Sequence, residues 1–190
     1  PISDLPRSSR EFLDGLKKSG IDDIRSIPAD YPGLNVLQQQ VRACVVNDRA
    51  FVGSDLQAKL QEINFPVSFL DFETFNPALP VYVGTSPYQQ VPFQWSLHIK
   101  TSSGDLLHKS FLWSEQDDPR PALVESLIDA IPSEGTIVAY SNYEQRVMRD
   151  LAAEFPAFVD ALLDLCDRTF DLLKLIREEY YHPQFHGSFS

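Results

Sequence analysis

Apolar residues recur along this chain at two spacings, and the spacing changes near residue 64. In "LNVLQQQVRACVVNDR", Leu34, Leu37, Val41 and Val45 share one face of a helix. Leu56, Leu60 and Ile63 repeat that period in "GSDLQAKLQEI", with Ser54 as the expected cap. "SSREFLDGLKKSG" supplies a start and a stop: Ser8 stands three residues before Glu11 in capping-box spacing, and Gly20 follows the last periodic position. Residues 1–63 therefore read as a helical segment. From Pro66 onward the pattern becomes that of strands. "VSFLDFE", "PFQWSLHIK" (92–100) and "DLLHKSFLW" (105–113) are extended runs, and "TSSG" between the last two predicts an antiparallel hairpin. Asp118 and Pro119 open a helix with the stripe Leu123, Leu127 and Ile131. "GTIVAY" (135–140) is a short apolar strand. Helices follow from about residue 142, over Phe158 to Leu165, and from Asp171. The order of helices, then β-β-β-α-β-α-(α)-α, predicts an α/β fold with a mixed sheet over residues 64–190.

Charge and composition narrow the picture. Of 190 residues, 43% are hydrophobic and the formal net charge is −11, which argues against a broad basic surface for duplex DNA. Cys44 and Cys166 fit neither a zinc spacing nor a redox pair and are expected to be reduced thiols. No apolar run approaches the ~18 residues of a membrane span, and no leader is evident, so a soluble cytoplasmic protein without membrane contact is expected. The start at Pro1 and the end in "FHGSFS" suggest a piece of a longer polypeptide. "LKKSGIDDIRSIP" has a faint helix-hairpin-helix look but lacks the second glycine that lets backbone approach phosphate, and a helical hairpin that packs is the simpler reading. No glycine-rich phosphate loop or dinucleotide fingerprint occurs, so no nucleotide cofactor is expected.

The chemistry lies in carboxylates at element ends. Alternation along a strand puts Val67, Phe69, Asp71 and Glu73 on one face. Asp71 and Glu73 are then roughly 7 Å apart at Cα. Two such groups repel unless one takes a proton or a hard cation lies between them; a solvated strand exit is the alternative. In "IVAYSNYEQRVM" a strand runs straight into a helix with Glu144 in its first turn. Ser141-x-x-Glu144 is also the signature of a capping box. Asp171 in "DRTFDLLKL" reads either as a helix N-cap or as a further acid. Asn142, Tyr140 and Gln94 are the remaining candidates near these positions, and Gln94, Ser96 and His98 share one strand face. His182 and His186 are four apart, but Pro183 and Gly187 break the helix a zinc pair would need.

"FLDFET", the antiparallel strands and "VAYSNYE" together resemble the RNase H-like fold of the DEDD 3′–5′ exonuclease superfamily. "FLDFETFNPALPVYVGTSPYQQVPFQWSLHI" and the terminal "HPQFHGSFS" resemble more closely a bacterial family defined as a domain of unknown function, found with RecB-like or CRISPR-associated nuclease regions. The resemblance implies a magnesium- or manganese-dependent nuclease that hydrolyses phosphodiesters of single-stranded DNA or RNA with two ions. Asp71 would bridge the ions, Glu73 would bind the nucleophile-side ion and Glu144 the second. Asp171 matches a position that opens a helix and need not be a ligand. The last acidic motif of that superfamily is expected beyond Ser190, so the chain by itself is expected to be weak or inactive, with a RecB-like module as a partner in the same polypeptide. The alternatives are a non-catalytic nucleic-acid-binding or scaffold domain of the same fold, and a hydrolase of smaller phosphoesters. Phe75, Tyr88 and Tyr143 are candidate base-stacking residues, with core packing as the other reading.

Overall fold

In the computed structural model, which describes residues 1–189, the chain folds into two compact units. One comprises, among the described residues, 1–59 and 173–189; the other runs from Leu60 to Leu172. The change of hydrophobic period near residue 64 lies close to the first boundary, whereas the C-terminal residues cluster with the N-terminal unit. A terminal position in sequence thus does not decide unit membership.

The first unit holds α1 (Arg10–Lys18), α2 (Val36–Asn47), β1 (Phe51–Val52) and most of α3 (Leu56–Leu60). Ser9, not Ser8, caps α1 by accepting from the Phe12 amide, because the helix starts one residue later than the capping-box spacing implied. Gly20 ends the turn after α1 at φ 76°, as expected of a residue without a side chain. A single 3₁₀ turn, Ile24–Ser26, follows in place of a second long helix. Asn35 caps α2 in a full capping box with Gln38, which leaves Leu34 outside the helix. Ser54 does not cap α3; its hydroxyl donates to Asp55 instead. Near the chain's end β7 (Tyr180–Tyr181) pairs antiparallel with β1. These two-residue strands are too short for any period to reveal. Leu16, Ile27, Val41 and Tyr181 form the buried centre of this unit.

The second unit is a mixed α/β structure. Strands β2 (Val67–Phe75), β3 (Val91–Lys100), β4 (Leu106–Leu112), β5 (Thr136–Ala139) and β6 (Thr169–Asp171) lie in the order β4-β3-β2-β5-β6. The pairs β4/β3 and β3/β2 are antiparallel, and β5 and β6 run parallel to β2. Helices α4 (Arg120–Ala130), α5 (Tyr143–Glu154) and α6 (Val159–Asp167) supply the other half of the core. Leu70, Phe72, Leu97 and Ile99 meet Leu123, Leu127, Met148 and Leu162 there. Each such fully buried side chain contributes on the order of 2 kcal/mol. The short strand β6, where the periodicity indicated only a helix start, carries Asp171 as its last residue; α7 (Leu172–Glu179) begins directly after it. Cys44 and Cys166 are buried free thiols, and desolvation pushes both upward from the ordinary thiol value. Among the described residues no helix is long and apolar enough to cross a membrane.

Arg120 ties α4 to α5. Its side chain is almost wholly buried, donates to Asp118 through Nε and Nη2, pairs with Glu154 through Nη1, and lies over the Phe155 ring. Asp118 also accepts from the Arg120 amide. Pro119, not Asp118, holds the N-cap position and makes no side-chain cap bond; Asp118 reaches the first helical amide from one residue further back.

Candidate functional site

Strand register brings three carboxylates to one end of the second unit. Val138 of β5 faces Phe69 of β2 on one side and Phe170 of β6 on the other. Asp71 is two residues beyond Phe69, and Asp171, opposite Ala139, is one beyond Phe170. Between them β5 ends, and Tyr140, Ser141 and Asn142 lead into α5 with Glu144 in its first turn. Asp71 lies midway along β2, just past its last residue paired with β5, while Asp171 ends β6 and Glu144 follows the end of β5, so the acids gather where the parallel pairing ends.

Glu144 is the anomalous member. It is only 4% exposed, and its Oε2 has no hydrogen-bond partner. Burial pushes its carboxyl above the usual carboxylate range, and the negative fields of Asp71 and Asp171 add to that. The backbone amides of Glu144 and Ser141 pull the other way. The capping-box reading is therefore met in part. The carboxylate does sense the Ser141 amide, but the Ser141 hydroxyl accepts from Tyr143, and Asn142 takes the N-cap position without a side-chain bond. The loop turns into the helix one residue later than the spacing implied.

Asp71 is exposed and opposite Ser96 of β3. It opens into a cleft of about 370 Å³ lined by Phe69, Asp71, Ser96, His98, Val138 and Tyr140, with Leu70 and Leu172 completing the wall. Glu73 keeps the expected face but faces Gln94 at a register shift in the β2/β3 ladder. Neither Glu73 nor Gln94 lines the cleft. The acids whose fields raise the Glu144 carboxyl are Asp71 and Asp171. Asn142 is exposed at the start of α5.

Asp71 and Asp171 each act on Glu144, without the three converging to chelating distance. Among the described residues no group of three or more His, Cys, Asp or Glu is placed to hold a metal ion. Like charges hold such groups apart unless a cation lies among them. A buried carboxylate oxygen without a partner, beside two further acids, is the donor chemistry of a hard divalent cation.

The aromatic candidates are mostly structural. Phe75 packs edge-on against Tyr82 and tilted against Phe93. The Tyr143 hydroxyl bonds Thr74 Oγ1 at 2.6 Å, and Arg146 covers its ring. Tyr88 is 69% exposed. His182 accepts from the Gln184 amide and His186 pairs with Asp4, so the two rings serve separate local contacts.

The fold and site define an α/β domain with acids gathered where the parallel pairing of its strands ends. A family model described as Domain of unknown function (DUF2779) matches residues 68–190, and the chain belongs to that family. No curated protein and no solved structure matches the chain.

Proposed function

We propose that the second unit is an RNase H-like domain that hydrolyses phosphodiester bonds of single-stranded nucleic acid with divalent cations. The observation that carries this reading is the buried, unpartnered Oε2 of Glu144 in the field of Asp71 and Asp171. The sheet order β4-β3-β2-β5-β6, with only β3 antiparallel to its neighbours, supports it, since that is the layout the resemblance implies. The −11 net charge fits a site that meets one strand locally rather than a duplex along its length.

Asp71, Glu144 and Asp171 would hold magnesium or manganese, with Glu73 nearby. When bound, such ions act as Lewis acids toward water and the leaving oxygen. The chain's own residues do the rest. Asp71 presents its carboxylate at the open mouth of the cleft, where a phosphodiester enters. Glu144 would bind a cation in its ionised form, which the amides of Glu144 and Ser141 favour. Ser96 and Tyr140 offer hydroxyls to phosphate oxygens from the cleft wall. Water adds to phosphorus, the P–O3′ bond breaks, and the 3′ oxygen leaves as a hydroxyl.

The test is digestion of 5′-labelled single-stranded DNA and RNA in Mn²⁺ and in EDTA. Asp71→Asn is expected to reduce Mn²⁺-dependent digestion about a hundredfold or more, the loss of several kcal/mol of transition-state stabilisation. Mn²⁺-dependent digestion that Asp71→Asn leaves undiminished would refute the catalytic reading. A second reading, a non-catalytic nucleic-acid-binding domain, draws on Glu144's proximity to its own helix amides and on Glu73 standing off the cleft. It predicts oligonucleotide binding with no digestion under any cation.

A further inference from the structure

The row of side chains next to Asp71 crosses all five strands. His108, His98, Phe69, Val138 and Phe170 stand opposite one another in turn along the β4, β3, β2, β5 and β6 ladders. Residues opposite one another in a ladder point to the same face. His98 and His108 are exposed and stacked, with ring centroids 4.3 Å apart and planes 20° from parallel. Phe69, beside them, is 42% exposed. The His108 ring is held by a 3.1 Å bond between its Nε2 and Ser96 Oγ. Three exposed rings therefore lie side by side over two interstrand spacings, roughly 10 Å. They sit two residues along β2 and β3 from the Asp71–Ser96 pair, roughly 7 Å.

We propose that Phe69, His98 and His108 form a stacking platform for unpaired bases of the strand whose phosphodiester enters the Asp71 cleft. This rests on the nuclease reading for the position of the phosphate, and adds a place for the bases. Three features favour a single strand as the occupant. The rings present π-faces, which bind any base without hydrogen-bond readout. The ring row itself contains no carboxylate, and Asp71 is the one acid lining the cleft beside it. One alternation further along β3, exposed Lys100 points the same way and makes no ion pair among the described residues. A duplex is disfavoured because its bases are stacked on each other and unavailable to a flat sheet. Stacking between the two rings also strengthens the β3/β4 pairing, and both residues remain exposed.

Fluorescence anisotropy in EDTA tests this without hydrolysis, using labelled oligothymidylate and an abasic oligomer of the same length and charge. The wild-type chain is expected to bind the base-bearing strand about tenfold more tightly, in line with ~1.4 kcal/mol from stacking. The double substitution His98→Ala/His108→Ala should abolish that preference, and so, separately, should Phe69→Ala on the neighbouring strand. His98→Phe/His108→Phe should keep it. Unchanged tryptophan emission from Trp95 and Trp113 would show that the variants fold. Equal wild-type affinity for the two oligomers, or a preference that survives both alanine variants, overturns the platform. Mn²⁺-dependent digestion that Asp71→Asn leaves unchanged overturns the nuclease reading alone, because the base preference is read without metal.

Discussion

At the scale of the residue, Glu144 is the side chain whose placement most needs a cause. Without a cation, its folded carboxyl binds its proton more tightly than it would in the unfolded chain. The stability contributed by this group is full below the ordinary carboxylate range and is lost as pH rises through the raised folded value. In EDTA, the melting temperature is therefore expected to fall between about pH 5 and about pH 8 by more in the wild type than in Glu144→Gln. At the higher pH the variant should be the more stable, each kcal/mol amounting to roughly 2–4 °C. Thermal denaturation at the two pH values measures this, and a steeper fall in the variant would contradict it. Asp71 and Glu144 were legible as candidates because one interrupts an apolar strand run and the other opens the helix beyond a strand. The separation of Glu73 from the cleft was not legible. It depends on which strands flank β2 and on the ladder irregularity after Glu73, and neither leaves a local mark.

At the scale of the element, most boundaries followed from period and caps, and the misses have local causes. Ser8, Ser54 and Ser141 each occupied a plausible capping position, but the hydroxyls bond elsewhere or the helix starts a residue later. Strand β6 was hidden because three residues show no alternation. The hairpin was more informative: a turn centred on Ser103 sets His98 opposite His108, so the stacked pair could have been found from spacing. The junction of α4 and α5 depends on one cation. Arg120→Ala leaves Asp118 and Glu154 without their partner and opens space under Phe155. A loss of about 3 kcal/mol is expected from breaking so buried an ion cluster, read as a lower urea midpoint. A change under about 0.5 kcal/mol, the scale of surface substitutions, would show that the cluster adds nothing.

At the scale of the whole molecule, both tryptophans, Trp95 and Trp113, belong to the unit that carries the acids. Tryptophan emission thus reports that unit's unfolding. Mg²⁺ at a hundred times its dissociation constant is expected to stabilise the tryptophan-detected transition by about 2.7 kcal/mol through mass action. Asp71→Asn should remove that shift, and an equal shift in the variant would place the cation elsewhere. The family match over residues 68–190 runs through the boundary between the compact units after Leu172. A family segment and a packing unit are thus different divisions of this chain.

By itself the sequence determined the local elements: the helical period before residue 64, the hairpin, the apolar strands, and the acids at their ends. Those follow from nearest-neighbour chemistry, which is read along the chain. Only the tertiary structure decided which acids meet. Parallel pairing of β2, β5 and β6 carries Asp71, Glu144 and Asp171 to one end of the sheet, although Asp71 and Asp171 are a hundred residues apart. It also sets Phe69 beside the His98–His108 stack. Strand order is chosen by burying the helix-side core, a sum over distant residues that no short stretch records.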